Sequence, residues 1–205
     1  MSLHRFIATI AALLLALGAT ACGGSDGEDD AEPAQPPPAT EEPSEPSVDD
    51  SGLADEPATS EEAGIALRGP EGWEPTDPGA LPGDLLVVNP EPDDQDGQPF
   101  AANINVLSEP AQGLGLEEYF DAAVAALPQV FTDYEQVEER DVEIDGRPAR
   151  IIGSTFSQGA FELQNLQLIT VVDDTGYIVT ASALEEDWDE YAEVFAASAQ
   201  TLEVE

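Results

Sequence analysis

The chain lacks lysine altogether, and its 205 residues include one histidine, His4, and one cysteine, Cys22. Five basic residues, all arginine, stand against 44 acidic ones, for a net charge of −39. Each scarcity excludes a chemistry. A Ser-His-Asp triad and a Cys-His pair need an imidazole, a Schiff base needs a lysine, and a structural zinc site needs thiolates or imidazoles. His4 and Cys22 both fall within the first 22 residues, so residues 23–205 hold none of these groups. Carboxylates remain, and pairs of them could cleave glycosidic bonds or hold a hard cation. With so many present, no single pair stands out, and no catalytic residue, metal ligand or cofactor is assigned.

Long apolar runs are missing too. Residues 6–17, behind Arg5, are apolar or small, well short of the about 20 residues a helix needs to span a hydrocarbon core. The stretch reads as an export signal, residues 1–21, destined for removal. Gly18-Ala19-Thr20-Ala21 then leads into Cys22 and Gly23-Gly24-Ser25, which resembles the lipobox of bacterial lipoproteins. Cleavage between Ala21 and Cys22, with a diacylglyceryl group and palmitate-like chains on Cys22, follows from that resemblance. Position 19 is alanine where a large aliphatic residue is usual, and an ordinary small-x-small site would give the same cut without lipid. A lone cysteine in an exported protein would otherwise be an unpaired thiol, which favours the lipid. Two or three acyl chains, at about 0.8 kcal/mol per buried CH2, would hold the protein on the extracytoplasmic face of the cell membrane.

Residues 23–62 carry 14 acidic residues and 7 prolines, with no basic or aromatic side chain. Such a composition cannot bury enough apolar surface to fold, so residues 22–62 are expected to form a disordered tether. A flexible chain of that length reaches on the order of 35 Å, and repulsion among its acids extends it further.

Residues 63–205 suffice for one domain with a real core. Short apolar stretches at 65–67, 85–88 and 100–107, separated by Gly and Pro clusters, read as strands. Leu116, Tyr119, Phe120, Ala123 and Leu127 recur at helical spacing, with Pro128 taken as the terminator. Residues 134–144 and 147–157 flank Asp145-Gly146, a pair suited to the positive φ angles of a type I′ hairpin. Residues 161–172 and 177–183 form a second expected hairpin across Asp173-Asp174-Thr175-Gly176. Leu163, Ile169 and Val171 share one strand face and Leu166, Leu168 and Val172 the other, so the sheet needs cover on both sides. A closing helix over about 185–200 places Trp188, Tyr191, Ala192, Phe195 and Ala199 on one stripe. The fold class is α+β: an antiparallel sheet covered by helices as an α/β/α sandwich, behind a tether.

Several smaller features invite a ligand and have plainer explanations. Asp93-Asp94-Gln95-Asp96-Gly97 suggests a calcium loop, but the EF-hand register would put Pro92 and Asn103 at its first and last ligand positions, so a solvated acidic loop is expected. Arg147 and Arg150 could bind an anion, or pair with Glu138, Glu139 or Asp141 across the hairpin. Trp73 could line a pocket mouth or anchor a loop on the sheet.

The order of Gly64-Ile65-Ala66-Leu67 leading to Pro70-Glu71-Gly72-Trp73, then Ala102-Asn103-Ile104-Asn105-Val106, Leu116-Glu117-Glu118-Tyr119-Phe120 and Ile144-Asp145-Gly146-Arg147-Pro148-Ala149 resembles the LpqN/LpqT lipoproteins of actinobacteria. That resemblance covers nearly all of 63–205 and implies a PsbP- and DcrB-like sandwich, not a reaction. The domain's net charge of −26, from 30 acids and 4 arginines, should repel nucleic acid and anionic headgroups, unless it only reflects adaptation to salt. The expected function is a non-enzymatic binding module for an envelope-derived apolar ligand or a protein. The alternatives are a carboxylate-dependent glycan hydrolase and a structural adaptor.

Overall fold

The computed structural model describes residues 52–77 and 83–205. The expected signal segment, the Ala21/Cys22 junction and the tether up to Ser51 lie outside them.

Seven strands build one antiparallel sheet in the order β3-β4-β7-β11-β10-β9-β8. They are β3 (Glu74–Pro75), β4 (Leu85–Val88), β7 (Asn103–Pro110), β8 (Thr132–Ile144), β9 (Arg147–Gln158), β10 (Phe161–Val172) and β11 (Thr175–Leu184). The last four run as successive hairpins. Asp145 and Gly146 sit at φ 48° and 71° between β8 and β9, the expected type I′ turn. The β10–β11 connection is shorter than the four residues expected. Asp173 and Asp174 both take positive φ and Val172 pairs with Thr175, so Thr175 and Gly176 belong to the strand. Aspartate tolerates the left-handed region, which makes glycine unnecessary in that turn. The expected strand 100–107 also divides, because Phe100 ends a separate hairpin and the long strand starts at Asn103.

Two helices cover the sheet. Helix α1 (Leu116–Val130) buries Tyr119, Phe120 and Leu127 against Ile152 and Ile169. Helix α2 (Trp188–Ala199), entered by a 3-10 turn at Glu185–Asp187, sets Phe195 and Ala199 against Ile104, Ile151, Leu168 and Val179 on the other face. Leu166, Leu168 and Val172 thus belong to one core, and Ile169 and Val171 to the other, as their alternation requires. Helix α1 does not stop at Pro128. It runs two residues further and closes with Phe131 N–H donating to the Leu127 carbonyl at 3.0 Å. A proline in the last turn removes only the bond to Val124, which the helix end can forgo.

A second sheet, β1-β2-β12, pairs β1 (Ala58–Ser60), β2 (Ile65–Leu67) and β12 (Glu203–Val204). Its first strand corrects the expected boundary: residues 53–62, assigned to the tether, are part of the fold. Leu53 is 6% exposed, and Ala54 N–H donates to the Gly69 carbonyl. Composition averaged over forty residues hides this, because one buried leucine and three ladder residues suffice to hold the segment against β2. The acidic stretch at 93–97 is likewise not a loop. It is the hairpin β5 (Asp93–Gln95) and β6 (Gln98–Phe100), turned at Asp96 and Gly97, both at positive φ.

Candidate functional site

Trp73 is placed by the turn before it. Gly72 takes φ 83° and Trp73 N–H donates to the Pro70 carbonyl at 3.2 Å, which delivers the indole just ahead of the edge strand β3. Its ring meets Tyr191 and Phe195 edge-on, at 5.9 and 5.8 Å between centroids. Tyr191 stacks on Phe195 at 5.5 Å, and Trp188 leans on the same phenylalanine at 5.6 Å. The helical stripe of aromatics is therefore core on one side and a seat for Trp73 on the other.

Tyr191 also fastens the β5–β6 hairpin. Its hydroxyl donates to Asp93, with oxygens at 3.0 and 3.1 Å, and accepts from Asn89 Nδ2 at 3.1 Å. Burial, then the bond to Asp93, pushes the Tyr191 hydroxyl up to about 12. The hairpin also docks on β10, through Phe100, which pairs with Asp93, against Phe161 at 5.4 Å, and nearer the turn through Glu162 N–H donating to the Gln95 side chain at 2.9 Å.

Beside Trp73 lies a groove of about 250 Å³, walled by Ala54, Pro57, Ala58, Pro70 and Pro75 and floored by Gly69 and Val87, with Glu56 at its rim. A side chain at Gly69 would come within 2.9 Å of Val87 Cγ1, so the glycine keeps the floor closely packed. A broader, polar depression of about 470 Å³ adjoins it at Pro75, lined by Thr59, Ser60, Glu62, Thr76 and Asp84. Asp84 there is already committed, since its Oδ2 accepts from Ser108 N–H at 2.6 Å and Ser108 Oγ at 2.7 Å.

Arg147 and Arg150 point to opposite faces of the sheet and do not converge. Arg147 lies 3.4 Å from Asp145 and reaches the Val204 carbonyl. Arg150 sits over the Phe120 ring at 3.9 Å and is ringed by Glu139, Asp141 and Asp121 at 2.5, 3.0 and 3.7 Å. The Asp141 contact is an ion pair by distance, with the Nε–H not aligned on the oxygen. The pairing expected across the hairpin is present, joined by a third acid from α1. Among the described residues no group of His, Cys, Asp and Glu could hold a metal ion, and no helix is long and apolar enough to cross a membrane. The groove wall at 54–58 was not foreseen, because the acidic composition around it masked its short apolar positions.

The fold is that of the PsbP-like proteins. Cyanobacterial PsbP from Synechocystis aligns over 78% of this chain and 96% of its own, at 18% identity and a TM-score of 0.52. LpqN of Mycobacterium tuberculosis, described as involved in cell envelope biogenesis, aligns over 77% and 94%, at 12% identity and 0.52. A Pseudomonas aeruginosa protein of unknown function, described as a putative regulator, aligns over 75% and 97%, at 14% identity and 0.51. No family model and no curated protein matches the chain.

Proposed function

We propose that this protein is a lipid-anchored, non-enzymatic module of the cell envelope, held at the extracytoplasmic face through Cys22, that uses the Trp73 groove to engage a protein partner. The likeness to LpqN in fold supports the envelope setting, and the lipobox-like residues around Cys22 supply the anchor.

One observation favours a protein partner over an enclosed apolar ligand: the sandwich is filled. Both sheet faces are covered, with Phe120, Phe195, Leu168, Ile151 and Ile169 at most 1% exposed. The Trp73 groove, at about 250 Å³, falls below the roughly 300–1,000 Å³ typical of small-molecule pockets, and the adjoining depression of about 470 Å³ is polar. A proline- and tryptophan-walled trough of that size suits one or two side chains of an extended segment. A glycan hydrolase would need two free acids across a cleft, and Asp84 is tied to Ser108.

Labelling of whole cells with palmitate should mark the wild-type product and not Cys22→Ser. An unlabelled wild type would sink the anchor. Native mass spectrometry of the full-length Cys22→Ser product should show protein mass alone, and an apolar small molecule of defined mass retained across preparations would replace the partner reading with a carrier.

A further inference from the structure

We propose that the outer edge of β8 is a docking strand for an extended, basic segment of another protein, which adds to the sheet as an eighth strand. This surface lies at the end of the sheet opposite β3, and the proposal depends neither on acylation of Cys22 nor on the Trp73 groove.

β8 is the longest strand of the sheet, 13 residues, and it pairs only with β9 among the described residues. Two register shifts, between Thr132 and Glu135 and between Gln136 and Glu138, interrupt its first half. Residues 138–144 then pair one for one with 153–147 and form a regular open edge.

The hairpin fixes which backbone groups point outward. In a two-residue turn, Ile144 and Arg147 make a hydrogen-bonded pair, and alternate pairs beyond it do not bond to each other. Glu143 therefore faces Pro148 in a non-bonded pair, as a residue without an N–H allows. By the same alternation the N–H and C=O groups of Glu139, Asp141 and Glu143 are directed away from β9, to the free edge. Val137, the bulged residue beside this stretch, is 49% exposed, the one large apolar side chain so exposed among the described residues.

Charge selects the occupant. β8 carries Asp133, Glu135, Glu138, Glu139, Asp141 and Glu143 against Arg140 alone. Arg140 is held by Glu138 at 2.6 Å, and Arg150 is shared by Glu139 and Asp141. A second copy pairing edge to edge would set acids against acids, which is how exposed edges are guarded from self-association. The same row is complementary to a strand of alternating lysine or arginine and apolar residues, since opposite charges across strands attract.

The test uses the full-length Cys22→Ser product, a short peptide alternating lysine and valine, and the same peptide with alternate backbone nitrogens methylated. The parent peptide should bind and shift the amide resonances of residues 138–144, and methylation should weaken it about tenfold by removing backbone donors while keeping every charge. Glu143→Pro, which deletes one outward N–H, should weaken the parent peptide more than Glu143→Gln. Equal binding of the two peptides would mean diffuse attraction to an acidic surface and would overturn the proposal. So would no binding, shifts centred on Trp73, or concentration-dependent dimers of the protein itself.

Discussion

At Gly176 the absence of a side chain lets the Tyr119 ring lie directly on the β11 backbone. A Cβ there would fall 2.3 Å from Tyr119 Cζ, while the Tyr119 hydroxyl donates to Glu109 at 2.7 Å, tying α1 to β7. Gly176→Ala should cost about 1–3 kcal/mol of stability by overpacking, measured by urea unfolding, and a wild-type midpoint would show that α1 can shift freely. Tyr119→Phe should cost about 1 kcal/mol, the usual net value of one hydrogen bond. Tyr191 makes a pH prediction. Its folded-state value, about 12, lies above the ordinary one of about 10, so its contribution is intact below pH 10. It is lost as pH rises from about 10 through about 12, because the unfolded chain ionises first. Tyr191→Phe should flatten the fall of stability across that window.

At the scale of elements, the β5–β6 hairpin is held by Asp93 on Tyr191 and, separately, by Gln95 and Phe100 on β10. Asp93→Ala should raise amide exchange in residues 93–100 and leave β9–β11 protected, whereas unchanged exchange would show that the β10 contacts hold the hairpin alone. Helix α2 is keyed by Phe195, which is fully buried and touches Trp73, Trp188 and Tyr191. Phe195→Ala should cost about 3–5 kcal/mol and open both the aromatic cluster and the groove beside it. Both helices and the two long hairpins were legible in sequence because each repeats its pattern over ten or more residues. The strands β1 and β12 were not, since two or three residues carry no measurable period and form only through pairing with β2.

For the whole molecule, acid dominates. Four arginines serve the entire domain, and the ion pairs described for Arg140, Arg147 and Arg150 sit at the surface, where each is worth about 0–1 kcal/mol. Self-repulsion therefore outweighs pairing, and screening should help the folded state. The melting temperature should rise between low and molar sodium chloride. A fall would mean that the few arginine clusters, above all that around Arg150, contribute more than the net charge removes.

The sequence by itself determined the missing chemistry, the helix and hairpin periodicities and the two-faced strands that demand a sandwich, because composition and alternation are properties of neighbouring residues. It also supplied the lipobox-like residues around Cys22. Only the tertiary structure decided that residues 53–62 belong to the fold, that Arg147 and Arg150 lie on opposite faces, that Trp73 leans on α2 beside a groove, and that β8 ends the sheet. Each of those depends on which distant segments meet, and a linear pattern does not encode the partner of an edge.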